Sequence, residues 1–314
     1  MQQSLRLFII LFFIFCSKYS VFGQSDSLNI TSFPQKLTLV PFYQKTGMFL
    51  KFKGETESLS YEPNSQNSIG MELRYKSLGI ILAYGIMEDE NDIFAAKVVN
   101  YDFRLNFFYR RFLITSNFQF FKGFSISNDI PEPIDENEIV PNLRMFNLGV
   151  NVFFAINPEF SFTAVFKNDE RIESSRSSII GGVSQIYTQL RAKASVYPDR
   201  TKTETHGDGL GNFYSVFLAG GYQYAFVYKK WYFAPLGIIG AGFQRQSYSY
   251  RNISEKKEYN PAYKYILNVP LGYNGNKFFV GLNYSIDSSQ MLFEASKMRM
   301  KYTSIILSLG MRFL

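Results

Sequence analysis

The residues best suited to chemistry in this chain are few. It has one histidine, His206, inside the run Thr205-His206-Gly207-Asp208-Gly209-Leu210-Gly211. Imidazole is the usual proton acceptor near neutral pH, so His206 would serve as the base of a hydrolase set in a barrel, or as a metal ligand. A zinc site needs nitrogen or sulfur partners, and the chain has no second histidine and a single cysteine, Cys16. A histidine beside glycines more commonly belongs to a turn. Asp208, the run Glu88, Asp89, Glu90, Asp92 and the set Glu132, Asp135, Glu136, Glu138 offer oxygen ligands to a hard cation such as calcium. Such runs are more often solvated loop charges. Gly207, Gly209 and Gly211 neither follow a strand nor open a helix, so a nucleotide loop is unsupported. No catalytic residue, metal or cofactor is assigned, and the expectation is a non-enzyme.

A second set of polar residues is informative through its spacing. In VNYDFRLNFFYRRFLITSNFQFF, from Val99, the residues Tyr101, Phe103, Leu105, Phe107 and Tyr109 alternate with Asn100, Asp102, Arg104 and Asn106. Ile69, Met71, Leu73 and Tyr75 alternate likewise with Glu72 and Arg74, and Phe146, Leu148, Val150 and Val152 with Asn147, Gly149 and Asn151. The last such run sets Ile305, Leu307, Leu309, Met311 and Phe313 against Ser304, Ser308, Gly310 and Arg312. Successive side chains on a strand point to opposite faces, so each segment has one apolar and one polar face. The polar set expected to face an enclosed, lumen-like interior is Glu72, Arg74, Asp102, Arg104, Asn106, Arg144, Asn147, Asn151 and Arg312.

The elements that must position these residues are strands. About 13 alternating segments begin near residues 47, 68, 78, 99, 111, 144, 159, 178, 213, 230, 263, 277 and 302. Tight connections are expected at Lys76-Ser77, Arg110-Arg111, Asn157-Pro158, Lys229-Lys230 and Asn274-Gly275-Asn276; long polar ones lie at 54–67, 87–97, 122–142, 191–212, 247–261 and 287–299. Aromatics make up 18% of the chain, with 33 Phe and 22 Tyr, more than the core of a sandwich would hold. An apolar outer face in lipid accounts for them, and there every backbone amide must pair, which closure into a barrel achieves. The expected fold is therefore all-β: a transmembrane antiparallel β-barrel with short periplasmic turns and longer extracellular loops. Such barrels have an even number of strands, so 12 or 14 are expected, with the miscounted segment placed between Asn168 and Asn212, where Ser178 to Leu190 alternates poorly.

At the N-terminus, Arg6 precedes the apolar run Leu7 to Phe15, and Val21-Phe22-Gly23 follows. This has the form of a secretory signal peptide, expected to be removed as residues 1–23 with Cys16; without Arg6 and Lys18 the net charge falls from +7 to +5. Residues 24–35 are then a short periplasmic segment and 36–314 the barrel in a bacterial outer membrane. A mature chain without thiols excludes disulfides and thiolate metal sites.

The run Tyr61-Glu62-Pro63-Asn64-Ser65, then Ile69-Gly70, then Tyr75-Lys76-Ser77-Leu78-Gly79 resembles the opening of domain-of-unknown-function family 4421 (DUF4421). Asn168-Asp169-Glu170-Arg171 with Ser177, Ser178 and Gly181-Gly182 is similar to its middle block, and Phe121-Lys122-Gly123 to another of its motifs. The resemblance, over about residues 36–314, implies a secreted outer-membrane barrel of the kind found in Bacteroidota, and brings no substrate or catalytic residue. The functions in view are a narrow pore or small-solute channel, a non-transporting surface or assembly scaffold, and a barrel-embedded hydrolase. Expected partners are outer-membrane lipid and lipopolysaccharide, whose phosphates suit a basic chain, and the barrel-insertion machinery during assembly; no nucleic acid is expected, and the sequence names no protein partner.

Overall fold

The computed structural model describes residues 30–33, 37–53, 58–63, 67–86, 99–127, 140–192, 209–250, 253–293 and 296–312. The signal-like segment, His206, Asp208 and both acidic runs lie outside these residues. The strands are β1 (Ile30–Ser32), β2 (Thr38–Lys53), β3 (Ser58–Pro63), β4 (Asn67–Tyr75), β5 (Leu78–Ile86), β6 (Val99–Tyr109), β7 (Phe112–Ser127) and β8 (Val140–Ala155). They continue as β9 (Glu170–Ile172), β10 (Arg176–Ala192), β11 (Gly209–Tyr228), β12 (Trp231–Phe233), β13 (Leu236–Tyr250), β14 (Ile253–Asn274), β15 (Phe278–Phe293) and β16 (Ser296–Met311). One π-helical turn spans Thr163–Lys167.

Twelve strands close into one antiparallel barrel, in the order β10, β8, β7, β6, β5, β4, β2, β16, β15, β14, β13, β11 and back to β10. Because the pleat alternates, the apolar half of each strand is presented outward. Leu218, Ile239 and Phe243 are 76%, 74% and 75% exposed, and Leu39, Ile69, Met71, Leu82, Tyr84, Tyr101 and Leu307 are exposed with them. An apolar belt that encircles the molecule is the surface hydrocarbon solvates, and a water-soluble sheet would bury it. The two-stack sandwich is thereby excluded.

The short-turn end is built as the spacing predicts, with Lys76, Arg110 and Lys229 at φ 49°, 46° and 56° in two-residue hairpins. The long-loop end departs from expectation. Much of 54–67, 247–261 and 287–299 is strand: β3 lies in the first, and the β13–β14 and β15–β16 hairpins extend through the others. β3 pairs with β2 through Leu50↔Tyr61 and with β7 through Tyr61↔Ile126. At that level it replaces β4, β5 and β6, so a ring of twelve strands (less three, plus one) narrows to ten. Gly123, at φ 85°, sits at the register shift between Lys122 and Phe124 that lets β7 bend toward β3.

The strand count also needs correcting. Arg176–Ala192 is an unbroken wall strand paired on both sides. The surplus segment is the one near residue 159: Asn157-Pro158 is no hairpin but opens a connection, 156–175, that starts and ends at the short-turn end and folds into the bore.

Candidate functional site in the barrel bore

The bore has three layers, each made by inward side chains. At the short-turn end the 156–175 insert fills it. Phe160, Phe162, Ala164 and Val165 are buried against Phe108, Leu113, Phe153, Ile180, Leu236 and Ile238 of the wall. Phe160 and Phe162 meet edge to face, centroids 5.5 Å apart. The insert is tied down by polar contacts at its left-handed turn, Asn168 (φ 57°). Arg74 donates from Nη1 to the Lys167 carbonyl, and Arg312 donates from its two Nη atoms to the carbonyls of Gly275 and Asn168. The Arg312 guanidinium also lies 4.0 Å from the Phe33 ring centroid and 5.1 Å from that of Phe279. Lys167, fully buried, is paired with Asp169 at 2.6 Å. Beside it β9 pairs with β1, and Asn274 Nδ2 donates to the Glu170 carbonyl at 2.9 Å. Ser161 Oγ donates to Glu170 at 2.7 Å, yet burial holds this carboxyl above the usual carboxylate range.

Above the insert lies a chamber of about 270 Å³ whose polar side chains stand among apolar ones such as Phe42, Ile81 and Ile306. Glu72 and Arg74, two residues apart on β4, are paired at 2.6 Å. On β6, Asp102 accepts from Arg104 Nε at 3.0 Å and from the Tyr302 hydroxyl of β16 at 2.9 Å, and Gln44 Nε2 donates to that hydroxyl at 2.8 Å. Lys264 and Asp287, on β14 and β15, pair at 2.9 Å. Burial makes each unpaired charge costly, and the three pairs sit on β4, on β6 and between β14 and β15. The opposite wall is neutral. Asn147 donates to Gln119 at 3.1 Å and accepts from Thr188 at 3.0 Å; Asn151 donates to Thr115 at 3.0 Å and accepts from Ser184 at 2.6 Å. Asn268 Oδ1 and Asn283 Oδ1, whose residues line the chamber, have no hydrogen-bond partner among the described residues.

The third layer closes the bore toward the long loops. Met48, Leu50, Tyr61, Phe121, Phe124, Leu143, Met145, Leu190, Phe213 and Met300 form one buried cluster. They come from wall strands and β3, in the ten-strand part of the ring.

The structure thus turns Glu72, Arg74, Asp102, Arg104, Asn147 and Asn151 inward, with Asn106 and Asn168 lining the same chamber and Arg312 at its floor. Arg144 is a correction. It shares the parity of Phe146 and Leu148 rather than that of Asn147, and is exposed on the outer face between buried Leu143 and Met145. Sequence reasoning missed Gln44, Lys264, Asp287 and Tyr302. Their signal was available, since each lies in the polar half of an alternating strand, but Tyr302 meets Asp102 across 200 residues of sequence.

Among curated proteins none matches the chain. Of solved structures, outer membrane protease OmpT from Escherichia coli is similar at 8% identity and TM-score 0.40, over 92% of this chain and 100% of that one. Ail, the attachment invasion locus protein of Yersinia pestis, is similar at 10% identity and TM-score 0.25, over 89% and 100%. A BenF-like porin from Pseudomonas fluorescens Pf-5 gives 8% identity and TM-score 0.20, over 89% and 100%. A family model described as Domain of unknown function (DUF4421) matches residues 24–313, and the chain belongs to that family.

Proposed function

We propose that this protein is an integral outer-membrane barrel whose bore is a closed passage for a small polar solute, with the short turns in the periplasm and the long loops outside. The observation that carries the proposal is the chamber itself. A barrel serving only as a wall gains nothing from a buried polar space, and polar groups there without a protein partner need water or a solute to satisfy them. Here such acceptors, on Asn268 and Asn283, face the bore beside three ion pairs and an amide ladder. The lower closure is a separate segment, packed on the wall by its own apolar side chains and tied at its turn by strand-end arginines, the kind of part that can leave without breaking the wall. The proposal assigns no catalysis, because each carboxylate lining the chamber is held by a cation.

The second reading is a non-conducting scaffold, favoured by the apolar cluster that seals the long-loop end. Purified protein in a planar bilayer separates the two. Heat-modifiable migration first establishes a closed barrel. A passage predicts rare, small openings in the wild type and frequent ones when residues 158–175 are replaced by a short Gly-Ser linker. A folded variant that stays sealed would leave the scaffold.

A further inference from the structure

Most of the charge on the outward face of the wall lies near its ends, and at the long-loop end that charge is arranged in a way that strand pairing alone disfavours. On the seam between the first and last wall strands, β2 and β16, five cations point outward: Lys51, Lys53, Lys297, Arg299 and Lys301. The register sets Lys51 directly opposite Arg299 and Lys53 directly opposite Lys297. Like charges at directly opposed positions repel, and here two such pairs stack along one seam. None of the five has an ion-pair partner among the described residues. Arg299 donates to Gln290 at 3.0 Å, and Lys301 lies 5.7 Å from the Phe49 ring centroid, neither of which neutralises a charge. Glu62, on β3, is an outward carboxylate of the neighbouring strand, and Glu55, Glu57 and Glu294 lie outside the described residues. Below the cations, toward the middle of the wall, the same face becomes Ile305, Leu307, Leu309 and Tyr43, all exposed, with one further cation, Lys45, opposite Ile305.

A cationic cluster one step above an acyl-facing apolar strip matches a lipid with anionic headgroup and hydrocarbon tails. We propose that the outer face of the β2–β16 seam binds the phosphates of lipid headgroups in the surrounding leaflet, which neutralise the opposed cations and clamp the seam. A second row repeats the design: Lys122, Arg144 and Arg191 stand opposite one another on β7, β8 and β10, above Phe120, Phe146, Phe118 and Leu148. This explains why Arg144 faces out. The site rests on the outer-membrane reading but not on the passage.

The test uses the full chain folded into phosphatidylcholine vesicles, alone, with phosphorylated lipid A, or with lipid A stripped of its phosphates. Phosphorylated lipid A is expected to remain with the folded protein and to raise its unfolding temperature more than the stripped lipid does. Lys51→Gln, Arg299→Gln and Lys301→Gln combined should fold with the normal band shift but bind phosphorylated lipid A about fivefold more weakly for each cation removed, the factor that one basic side chain contributes near an anionic surface. Lys76→Gln with Lys229→Gln, at the short-turn end, should leave binding unchanged. Equal retention of both lipids, or wild-type binding by the triple variant, would overturn the site, as would an equal gain from inorganic phosphate alone. Loss of the band shift in all vesicles would overturn the outer-membrane reading and the site with it.

Discussion

The two ends of the bore are closed by different means. At the long-loop end the closure is the wall itself: Leu50, Phe213 and Met300 belong to strands whose backbones are bonded on both sides, and the ring is tightened by β3. At the short-turn end the closure is a guest, residues 156–175, which contributes Phe160, Phe162 and Val165 to a cluster otherwise made by wall strands. A side chain on a wall strand moves only if the ladder moves, whereas the insert can leave while the ladder stays. On the passage reading, the lower closure is therefore the one that can move, while the upper one stays with the wall.

Paired truncations should show the largest contrast. Leu50→Ala and Phe162→Ala each empty a fully buried position and should cost about 2–5 and 3–5 kcal/mol respectively. The first is expected to lower the temperature at which the barrel loses its band shift, because Leu50 is part of the wall. The second should leave that temperature nearly unchanged while speeding hydrogen exchange at 160–172. Equal effects on global unfolding would show that insert and wall form one cooperative unit.

Arg312→Lys probes the same difference more gently. The guanidinium reaches two carbonyls, Gly275 and Asn168, and also donates to Asn274 Oδ1 at 2.5 Å. An ammonium keeps the charge but loses the planar fork and the stacking on Phe33. The expected cost is about 1.5–3 kcal/mol, confined to the insert and visible as faster exchange there with an unchanged band shift.

The same contrast explains what was legible in the sequence. Wall strands announce themselves because a period of two is enforced wherever lipid lies on one side and the polar side chains of the chamber on the other. The turns Lys76-Ser77, Arg110-Arg111 and Lys229-Lys230 follow from where the alternation breaks. The insert escaped because Phe160, Phe162 and Phe166 alternate with Ser161 and Thr163 much as a strand would, yet the alternation there serves packing around a π-helical turn. The i, i+2 pairs Glu72–Arg74 and Asp102–Arg104 were legible within one strand. Lys264–Asp287 and the Tyr302–Asp102 contact were not, since they depend on which strands neighbour or face one another across a closed ring. Arg144 was misplaced by residue type: its parity pointed outward, and charge alone suggested inward.

The smallest effect should be a pH dependence found at one end only. Burial holds the Glu170 carboxyl above its ordinary range, so the folded insert favours the protonated form. A raised folded value means the stabilising contribution is fully present below the free carboxyl's value, about 4.3, and is lost as the pH rises through the higher folded value. The insert should accordingly be held more firmly in mild acid than at neutral pH, while the long-loop cluster, made of apolar side chains and Tyr61, should not respond. Glu170→Gln keeps an acceptor for Ser161 and fixes the neutral state, so it should match the wild type in acid and exceed it at neutral pH. Hydrogen exchange at 160–172 measured in urea at several pH values reads the difference. A wild-type insert that grows firmer as the pH rises would mean that Arg110 and Lys167 outweigh desolvation at Glu170, and that this end is clamped by charge rather than by packing.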